Sequence, residues 1–176
     1  MPVGMKNCVS GDLRPAVAAA QVAAHPHALP MLSPHGRLTL THTVGNTHPH
    51  VVLRGGPVPN YGADEVERAA DLLAASGLRR SVVVDASHGN SAKDHNRQAQ
   101  VVAELARRIG EGERSLTGVM IESYLADGRQ DLTAQPLRPD LSVTDACLGW
   151  ERTEPLLDAL AVASRRRGRA RAAALA

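Results

Sequence analysis

The chain has 176 residues, 43% of them hydrophobic and 22% charged, and this length and composition fit one globular domain. Its net charge of +2 is too small to favour nucleic acid as a partner, and we expect none. We expect a cytoplasmic protein without a membrane span, since there is no run of about 18 apolar residues and no signal peptide, and the two cysteines lie in no metal or redox spacing.

Short strand patterns surround one helical pattern in the N-terminal part of the chain. Strands are predicted at 3–5 and 28–32, with an Ala-rich helix over 13–24 between them. Alternating β-branched residues over 37–44 and a second run over 49–53, joined by a Gly-Asn turn, predict a β-hairpin. We expect this hairpin to project from the main sheet.

Longer helices alternate with apolar strands in the rest of the chain. Apolar residues at helical spacing predict helices over 63–76, 94–109 and 154–167. Continuous apolar runs predict strands over 82–86 and 116–121, because such runs suit strands that are covered on both faces.

This alternation of strands and helices predicts an α/β fold, in a domain over 1–168 followed by a basic, Ala-rich tail over 169–176. The strands at 3–5, 28–32, 82–86 and 116–121 are expected to lie parallel and consecutive. Right-handed crossovers would bring their C-terminal ends to one side of the sheet. Four polar side chains just past strands are expected to meet there: Lys6, Arg54, His88 and Glu122.

A histidine and two carboxylates form a candidate metal site. His88 follows the strand VVVD, Glu122 follows LTGVMI, and Asp145 lies in the segment SVTDA. A neutral imidazole with two carboxylates is a ligand set for a divalent Mn, Fe, Co or Zn ion. Each residue also has an ordinary structural interpretation, as a hydrogen-bonded histidine, a solvated glutamate and an N-cap aspartate.

Two cations, Lys6 and Arg54, are predicted on the same side of the sheet. Gly55-Gly56 follows Arg54 and lets a ligand approach the backbone closely. A planar, fork-shaped guanidinium suits a carboxylate or a phosphate, whereas an ordinary surface arginine is the alternative. The other histidines, His95 among them, fit no ligand spacing.

Six short motifs follow one another along the chain. They are KN at 6–7, LRGG at 53–56, PNY at 59–61, DASHGNS at 85–91, GVMIES at 118–123 and SVTDACLGW at 142–150. Together they resemble the class I 3-deoxy-D-arabino-heptulosonate 7-phosphate (DAHP) synthases, from Pro2 to about Leu160. Gly89 stands where that family commonly has Ala, which is a mild departure.

The resemblance implies a fold and a reaction. The family folds as a (β/α)₈ TIM barrel, so this chain would form its C-terminal half, with the equivalents of the last four barrel strands and an inserted β-hairpin. The family joins phosphoenolpyruvate to erythrose 4-phosphate in the first step of the shikimate pathway to aromatic amino acids. In that reaction the metal activates the sugar aldehyde, the enol carbon attacks it, water adds and phosphate leaves.

The resemblance also implies residue roles. His88, Glu122 and Asp145 match three metal ligands of the family, for a divalent Mn, Fe, Co or Zn ion. Lys6 and Arg54 match two residues that bind phosphoenolpyruvate. Lys6, Arg54 and His88 are therefore the expected catalytic residues.

Family members are about twice as long, and the first half of their barrel has no counterpart here. Neither Cys8 nor Cys147 matches the family's cysteine metal ligand. We therefore expect a chain that is inactive alone. Three explanations stay open: an incomplete or shortened gene, one half of a split enzyme that needs a complementing N-terminal half, and a half-barrel that associates with a second copy. The alternative is a non-catalytic half-barrel that binds a metal or a phosphorylated ligand, or that complements a partner chain.

Overall fold

A computed structural model describes residues 1–173 of the chain. In chain order its elements are β1 (Val3–Lys6), α1 (Arg14–Ala24), β2 (Ala28–Leu32), β3 (Leu38–His42), β4 (Pro49–Leu53), α2 (Ala63–Ala75), β5 (Val82–Asp85), α3 (Gln98–Glu111), β6 (Leu116–Met120), β7 (Ser123–Tyr124), β8 (Leu148–Gly149) and α4 (Trp150–Ala173). Two short 3₁₀ turns, His88–Ser91 and His95–Arg97, connect β5 to α3.

The centre of the fold is a four-stranded sheet in the order β1-β4-β5-β6, in which every neighbouring pair is parallel. Helix α2 connects β4 to β5, and α3 connects β5 to β6. Parallel neighbours need such crossover connections, so the alternating sequence pattern accounts for the topology. The predicted α/β class with a parallel sheet is confirmed.

The β-hairpin is formed by different strands from those predicted. We expected it over 37–44 and 49–53, with 28–32 in the main sheet, and this was wrong: β2 pairs antiparallel with β3, and β4 is an inner strand of the sheet. Strand β4 carries three consecutive buried apolar residues, Val51 to Leu53, whereas every residue of β2 and β3 is exposed. A continuous apolar run gains most from a position between two strands and beneath a helix.

One face of the main sheet, called the covered face, packs against α1, α2 and α3. It contributes five side chains without exposed area: Val51, Leu53, Val82, Val84 and Leu116. Leu73 of α2 and Leu105 of α3 are also completely buried in the same core. With almost no aromatic residues in the chain, valine, leucine and alanine fill this core, as their spacing predicts.

The opposite face, called the open face, carries Gly4, Lys6, His50, Val52, Val83 and Gly118. Alternation along each strand directs these residues away from the core. A Cβ atom added to Gly4 would lie 2.8 Å from Val52 Cγ2, and one added to Gly118 would lie 3.3 Å from Val83 Cγ2, so these residues share a face. Lys6, His50 and Val83 keep solvent-accessible area there. Parallel sheets are normally buried on both faces, so this surface is unusual for the fold.

Helix α4 reaches the outer side of the edge strand β6. The Nη1 atom of Arg167 donates hydrogen bonds to the carbonyl oxygens of Glu113, at 2.8 Å, and Leu116, at 2.7 Å. Successive carbonyls of a strand point to opposite sides. The Ser115 carbonyl accepts the Val82 amide of β5, so the next carbonyl, that of Leu116, points away from β5, to the unpaired edge of the sheet. Arg167 therefore satisfies a backbone acceptor that the sheet leaves unpaired.

Helix α4 is longer at both ends than the predicted 154–167, because it begins at Trp150 and continues to Ala173. It thus includes the first part of the predicted tail over 169–176, and residues 174–176 lie outside the described residues. Among residues 1–173, no helix is both long and apolar enough to cross a membrane.

Candidate active site

A cavity of about 200 Å³ lies at the C-terminal end of the main sheet. Ten residues line it: Arg54, Ser87, His88, Ser91, Lys93, His95, Gln98, Glu122, Asp145 and Ala146. They come from the segments that follow β4, β5 and β6 and from the loop before β8. Parallel strands bring their C-terminal ends to one edge, which explains why residues distant in sequence meet here.

Three of these side chains form a compact group of possible metal ligands. One nitrogen of His88 and one carboxylate oxygen each of Glu122 and Asp145 lie within 4.8 Å of one another. Two ligands of one ion, with bonds of about 2.0–2.2 Å, lie at most about 4.4 Å apart, so small side-chain movements bring all three to one ion. The structure brings together the three residues that the sequence singled out.

Glu122 is positioned through its backbone by the side chain of Gln98. The Gln98 Oε1 atom accepts the Glu122 amide at 2.8 Å, and its Nε2 atom donates to the Glu122 carbonyl at 3.0 Å. Gln98 is the first residue of α3 and is completely buried. Burial, followed by the nearby carboxylates of Asp145 and Asp85, raises the pKa of Glu122, against the opposing charges of His88 and Lys6. A divalent cation would relieve this repulsion.

His88 occupies an uncommon backbone conformation and is held by its neighbours. Its φ angle is 52°, in the left-handed region that residues with a Cβ seldom adopt and that often marks functional sites. Its Nδ1 atom lies 2.9 Å from Asp85 Oδ2 and 2.8 Å from Ser87 Oγ. The ring is therefore fixed by contacts on its Nδ1 side.

Asp85, the last residue of β5, is completely buried and carries much of the polar organisation below the cavity. Burial by itself would raise its pKa, but hydrogen bonds from Lys6 and Ser87 more than offset this and hold the pKa below its usual value. Asp85 therefore acts as an ionised acceptor beneath the candidate ligands.

The two predicted cations, Lys6 and Arg54, have different surroundings. Lys6 Nζ donates to Asp85 Oδ2 at 2.7 Å, and its side chain remains 37% exposed. Arg54 lines the cavity, and no carboxylate of residues 1–173 lies within 4 Å of its guanidinium. An arginine without a carboxylate partner beside a cavity is suited to an anionic ligand.

Three asparagines tie the strand ends together beneath the cavity. Asn7 Oδ1 accepts the Arg54 amide at 2.8 Å, and Asn60 Oδ1 accepts the Gly55 amide at 2.7 Å. Asn90 Nδ2 donates to the carbonyls of Leu53, at 3.0 Å, and Asp85, at 2.8 Å, while its Oδ1 accepts the Asn60 amide. The asparagines of the KN, PNY and DASHGNS motifs thus form a scaffold rather than part of the cavity wall.

Two glycines allow the turns after β4 and β5 to touch. Gly55 has a φ of 74°, and a Cβ there would lie 2.5 Å from the backbone of Gly89 and Asn90. A Cβ on Gly89 would lie 2.7 Å from the Gly56 nitrogen. Any side chain at either position would push apart the strand ends that carry Arg54 and His88. An alanine at position 89, which is common in the family that the sequence resembles, would therefore require these turns to shift.

Several residues of this region were not predicted from the sequence. Asp85 and Gln98 were not singled out, Lys93 was given no role, and His95 was set aside, yet Lys93 and His95 line the cavity. The position of Asp85 at the end of a buried valine strand was the available signal, because a buried carboxylate requires partners. Gln98 gave no signal, since a glutamine at a helix start is common.

The cysteines are not part of the candidate ligand group within the described chain. Cys8 is exposed, and Cys147 is buried with its Sγ atom 3.4 Å from the Asp145 carbonyl oxygen. Burial raises the pKa of the Cys147 thiol, which disfavours the thiolate form that metal binding needs. The donor set of one imidazole and two carboxylates fits a divalent transition-metal ion without them.

Comparisons with known proteins point to one family. The sequence profile of the DAHP synthetase I family matches residues 1–158. The Trp-sensitive phospho-2-dehydro-3-deoxyheptonate aldolase of Enterobacter agglomerans is 46% identical over 165 residues, which cover 92% of this chain and 47% of that protein. The Tyr-sensitive aldolase of Salmonella typhimurium is 44% identical over 160 residues, 89% of this chain and 45% of that protein.

A solved structure gives the same relation in three dimensions. The phospho-2-dehydro-3-deoxyheptonate aldolase of Francisella tularensis matches with a TM-score of 0.88 and 38% identity, over 93% of this chain and 48% of that one. The chain thus spans about half the length of these relatives. Because the family profile covers most of the sequence and the fold agrees, the chain belongs to the DAHP synthetase I family.

Proposed function

We propose that this chain forms the C-terminal half of a (β/α)₈ barrel, in which β1, β4, β5 and β6 are the last four barrel strands and β2–β3 is an inserted hairpin. The parallel order of these strands and the helices on one face support this. The open face would then line the barrel interior. An N-terminal half, or a second copy of the chain, would cover it.

The proposed reaction is that of the family, the metal-dependent condensation of phosphoenolpyruvate with erythrose 4-phosphate. Phosphoenolpyruvate, the sugar phosphate and water give DAHP and inorganic phosphate. The observation that carries the proposal is the meeting of His88, Glu122, Asp145 and Arg54 around one cavity at the C-terminal end of a parallel sheet. These are the residues that the family motifs contain.

Each residue has a role in this proposal. His88, Glu122 and Asp145 would hold a divalent Mn, Fe, Co or Zn ion, which when bound polarises a carbonyl oxygen. Arg54 would bind the carboxylate or phosphate of phosphoenolpyruvate through its planar guanidinium, and the Lys6 ammonium would add a second positive charge. Gln98 and the asparagine scaffold keep the backbone of these residues in place.

We expect the chain alone to turn over far more slowly than a complete family member. Holding two substrates in attack geometry contributes about 7–11 kcal/mol to lowering a barrier. Lys6 and Arg54 supply part of the grip on phosphoenolpyruvate, and no residue described here matches the family's grip on erythrose phosphate. An assay of DAHP formation with manganese and both substrates checks this, and turnover near that of a complete enzyme would contradict it.

Metal binding tests the site directly. We expect the chain to bind Co²⁺ with a visible absorption spectrum, and His88→Ala to weaken binding at least about 100-fold, because it removes the only nitrogen donor of the group. His35→Ala, an exposed histidine near the hairpin turn, is the matched control and should bind as the wild type does. Equal affinity of the His88→Ala and His35→Ala variants would refute the proposed ligand set.

The second candidate is a non-catalytic half-barrel that binds a metal or a phosphorylated ligand, or that complements a partner chain. It is favoured by the fact that the ligand group is assembled within a chain whose open sheet face is accessible. Adding a separately expressed N-terminal half of a family member distinguishes the two. Turnover that appears on mixing, and disappears with Arg54→Ala, supports the synthase function; metal binding without turnover on mixing supports the alternative.

A further inference from the structure

We infer that Asp85 is a positioning residue shared by the two parts of the site, which fixes the metal-binding nitrogen of His88 and couples metal binding to anion binding at Lys6. The inference rests on the proposed function, since it extends the roles of His88 and Lys6. Asp85 contacts both His88 and Lys6, but it does not line the cavity itself.

The hydrogen bonds around Asp85 determine which nitrogen of His88 carries the proton. Ser87 Oγ donates its only proton to Asp85 Oδ1, so it can offer His88 only a lone pair. Asp85 Oδ2 is also an acceptor, and both atoms lie within 2.9 Å of His88 Nδ1. The Nδ1 atom must therefore be the donor. Its proton leaves the lone pair of the neutral ring on Nε2, which is the nitrogen available to a metal.

The same carboxylate oxygen holds Lys6. Asp85 Oδ2 accepts from Lys6 Nζ at 2.7 Å and from His88 Nδ1 at 2.9 Å, so two functional groups share one acceptor atom. An anion that draws the Lys6 ammonium toward itself leaves Oδ2 more fully to His88. A stronger acceptor on Nδ1–H makes the imidazole a better ligand, as partners of metal-bound histidines generally do.

Coupling of this kind is reciprocal. If an anion at Lys6 raises the metal affinity by some factor, the metal raises the anion affinity by the same factor. Asp85 would thus favour the state in which both the metal and phosphoenolpyruvate are present. Because Asp85 is completely buried, solvent does not screen its contacts with the two groups.

The ring proton is tested first, without metal and without turnover. The ¹⁵N resonances of the His88 ring, assigned by their loss in His88→Gln and recorded where the ring carries one proton, should show that proton on Nδ1. Asp85→Asn should shift the ring toward a mixture of tautomers, and Asp71→Asn, an exposed aspartate paired with Arg80, should not. A wild-type ring protonated on Nε2 overturns the inference, even if Asp85→Asn does not fold.

Metal affinity tests the positioning role. Asp85→Asn should bind Co²⁺ about 10–100-fold more weakly than the wild type, the usual range for loss of a partner of a histidine ligand, and Asp71→Asn should bind unchanged. If the wild type binds no Co²⁺, the proposed metal site and the coupling both fail, while the tautomer experiment still decides whether Asp85 fixes the His88 ring. If Asp85→Asn binds as the wild type does with an unchanged tautomer, the inference fails and the proposed function stands.

The sharing of Asp85 is tested with a matched pair of lysines. Lys6→Gln and Lys93→Gln each remove one positive charge near the candidate site, but of the two only Lys6 contacts Asp85. Lys6→Gln should tighten Co²⁺ binding by at least about twofold more than Lys93→Gln, and this excess should vanish in the Asp85→Asn background. Equal effects of the two lysines, or an excess that survives Asp85→Asn, would show that charge alone is responsible.

Discussion

The two faces of the main sheet show how differently the same strands can be used. Val84 and Val83 are neighbours of the same residue type, yet Val84 is completely buried under the helices and Val83 keeps accessible area on the open face. The covered face carries buried valine and leucine, as a hydrophobic core does, whereas the open face also carries glycine, lysine and histidine. One face therefore provides most of the apolar core of the described chain, whereas the other keeps side chains with solvent-accessible area.

The C-terminal edge of the sheet belongs to neither face. It is held by buried amides and one buried carboxylate instead of by apolar contact. Polar networks of this kind are stable only when every member is paired, and no buried side-chain nitrogen or oxygen of the described residues lacks a partner. The residues around the cavity are thus held in place by hydrogen bonds within the described chain itself.

The largest expected effect is a loss of stability when the asparagine scaffold at this polar edge is disrupted. Asn90→Ala should lower the free energy of unfolding by about 3 kcal/mol, because it removes three hydrogen bonds to buried backbone groups, the carbonyls of Leu53 and Asp85 and the amide of Asn60, each contributing about 0.5–1.5 kcal/mol. Urea unfolding followed by circular dichroism measures it. Asn96→Ala, at an exposed asparagine, is the control and should stay within about 0.5 kcal/mol; similar losses for both would contradict the scaffold role.

A matched valine pair tests the two faces directly. Val84→Ala should lower the free energy of unfolding by about 2 kcal/mol, from two lost methyl groups at about 0.8 kcal/mol each plus the cavity that remains. Val83→Ala, the same substitution one residue earlier, should cost less than about 1 kcal/mol. Equal losses would mean that the open face is already covered in solution, for example by a second copy.

The smallest expected effect is a gain in stability, from a substitution at Glu122. The raised pKa of Glu122 means that its charged form is unfavourable in the folded chain, so stability falls as the pH rises through the interval between its unfolded and folded pKa values. Glu122→Gln should therefore raise the free energy of unfolding at neutral pH, by less than about 1 kcal/mol because solvent screens the group. Thermal unfolding without metal measures this, and a lower melting temperature would contradict it.

Local patterns predicted the elements that carry strong apolar periodicity, and they failed where elements compete. The valine strand at 82–85 and helix α3 follow directly from such patterns. Residues 49–53 were assigned to the hairpin because they follow an alternating segment closely, and only competition for the inner position of the sheet decides otherwise. Such competition depends on the whole sheet, so no short window of sequence contains it.

The candidate site divides in the same way. His88, Glu122 and Asp145 could be found because their motifs resemble a known family and their residue types suit a metal. The role of Asp85 depends on Lys6, 79 residues away in sequence, and that of Gln98 on Glu122, 24 residues away. These supporting contacts exist only after the strands have been brought side by side.

The bond from Arg167 to the Leu116 carbonyl has a consequence for aggregation. Exposed sheet edges recruit strands from other molecules, and natural proteins discourage this by placing a charge at the edge. A strand arriving beside β6 must displace the guanidinium before it can bond Leu116, so a chance encounter gains little. A partner that also contacts much of the open face would gain enough to offset the loss of the Arg167 bond. Arg167 thereby disfavours nonspecific addition of a strand beside β6.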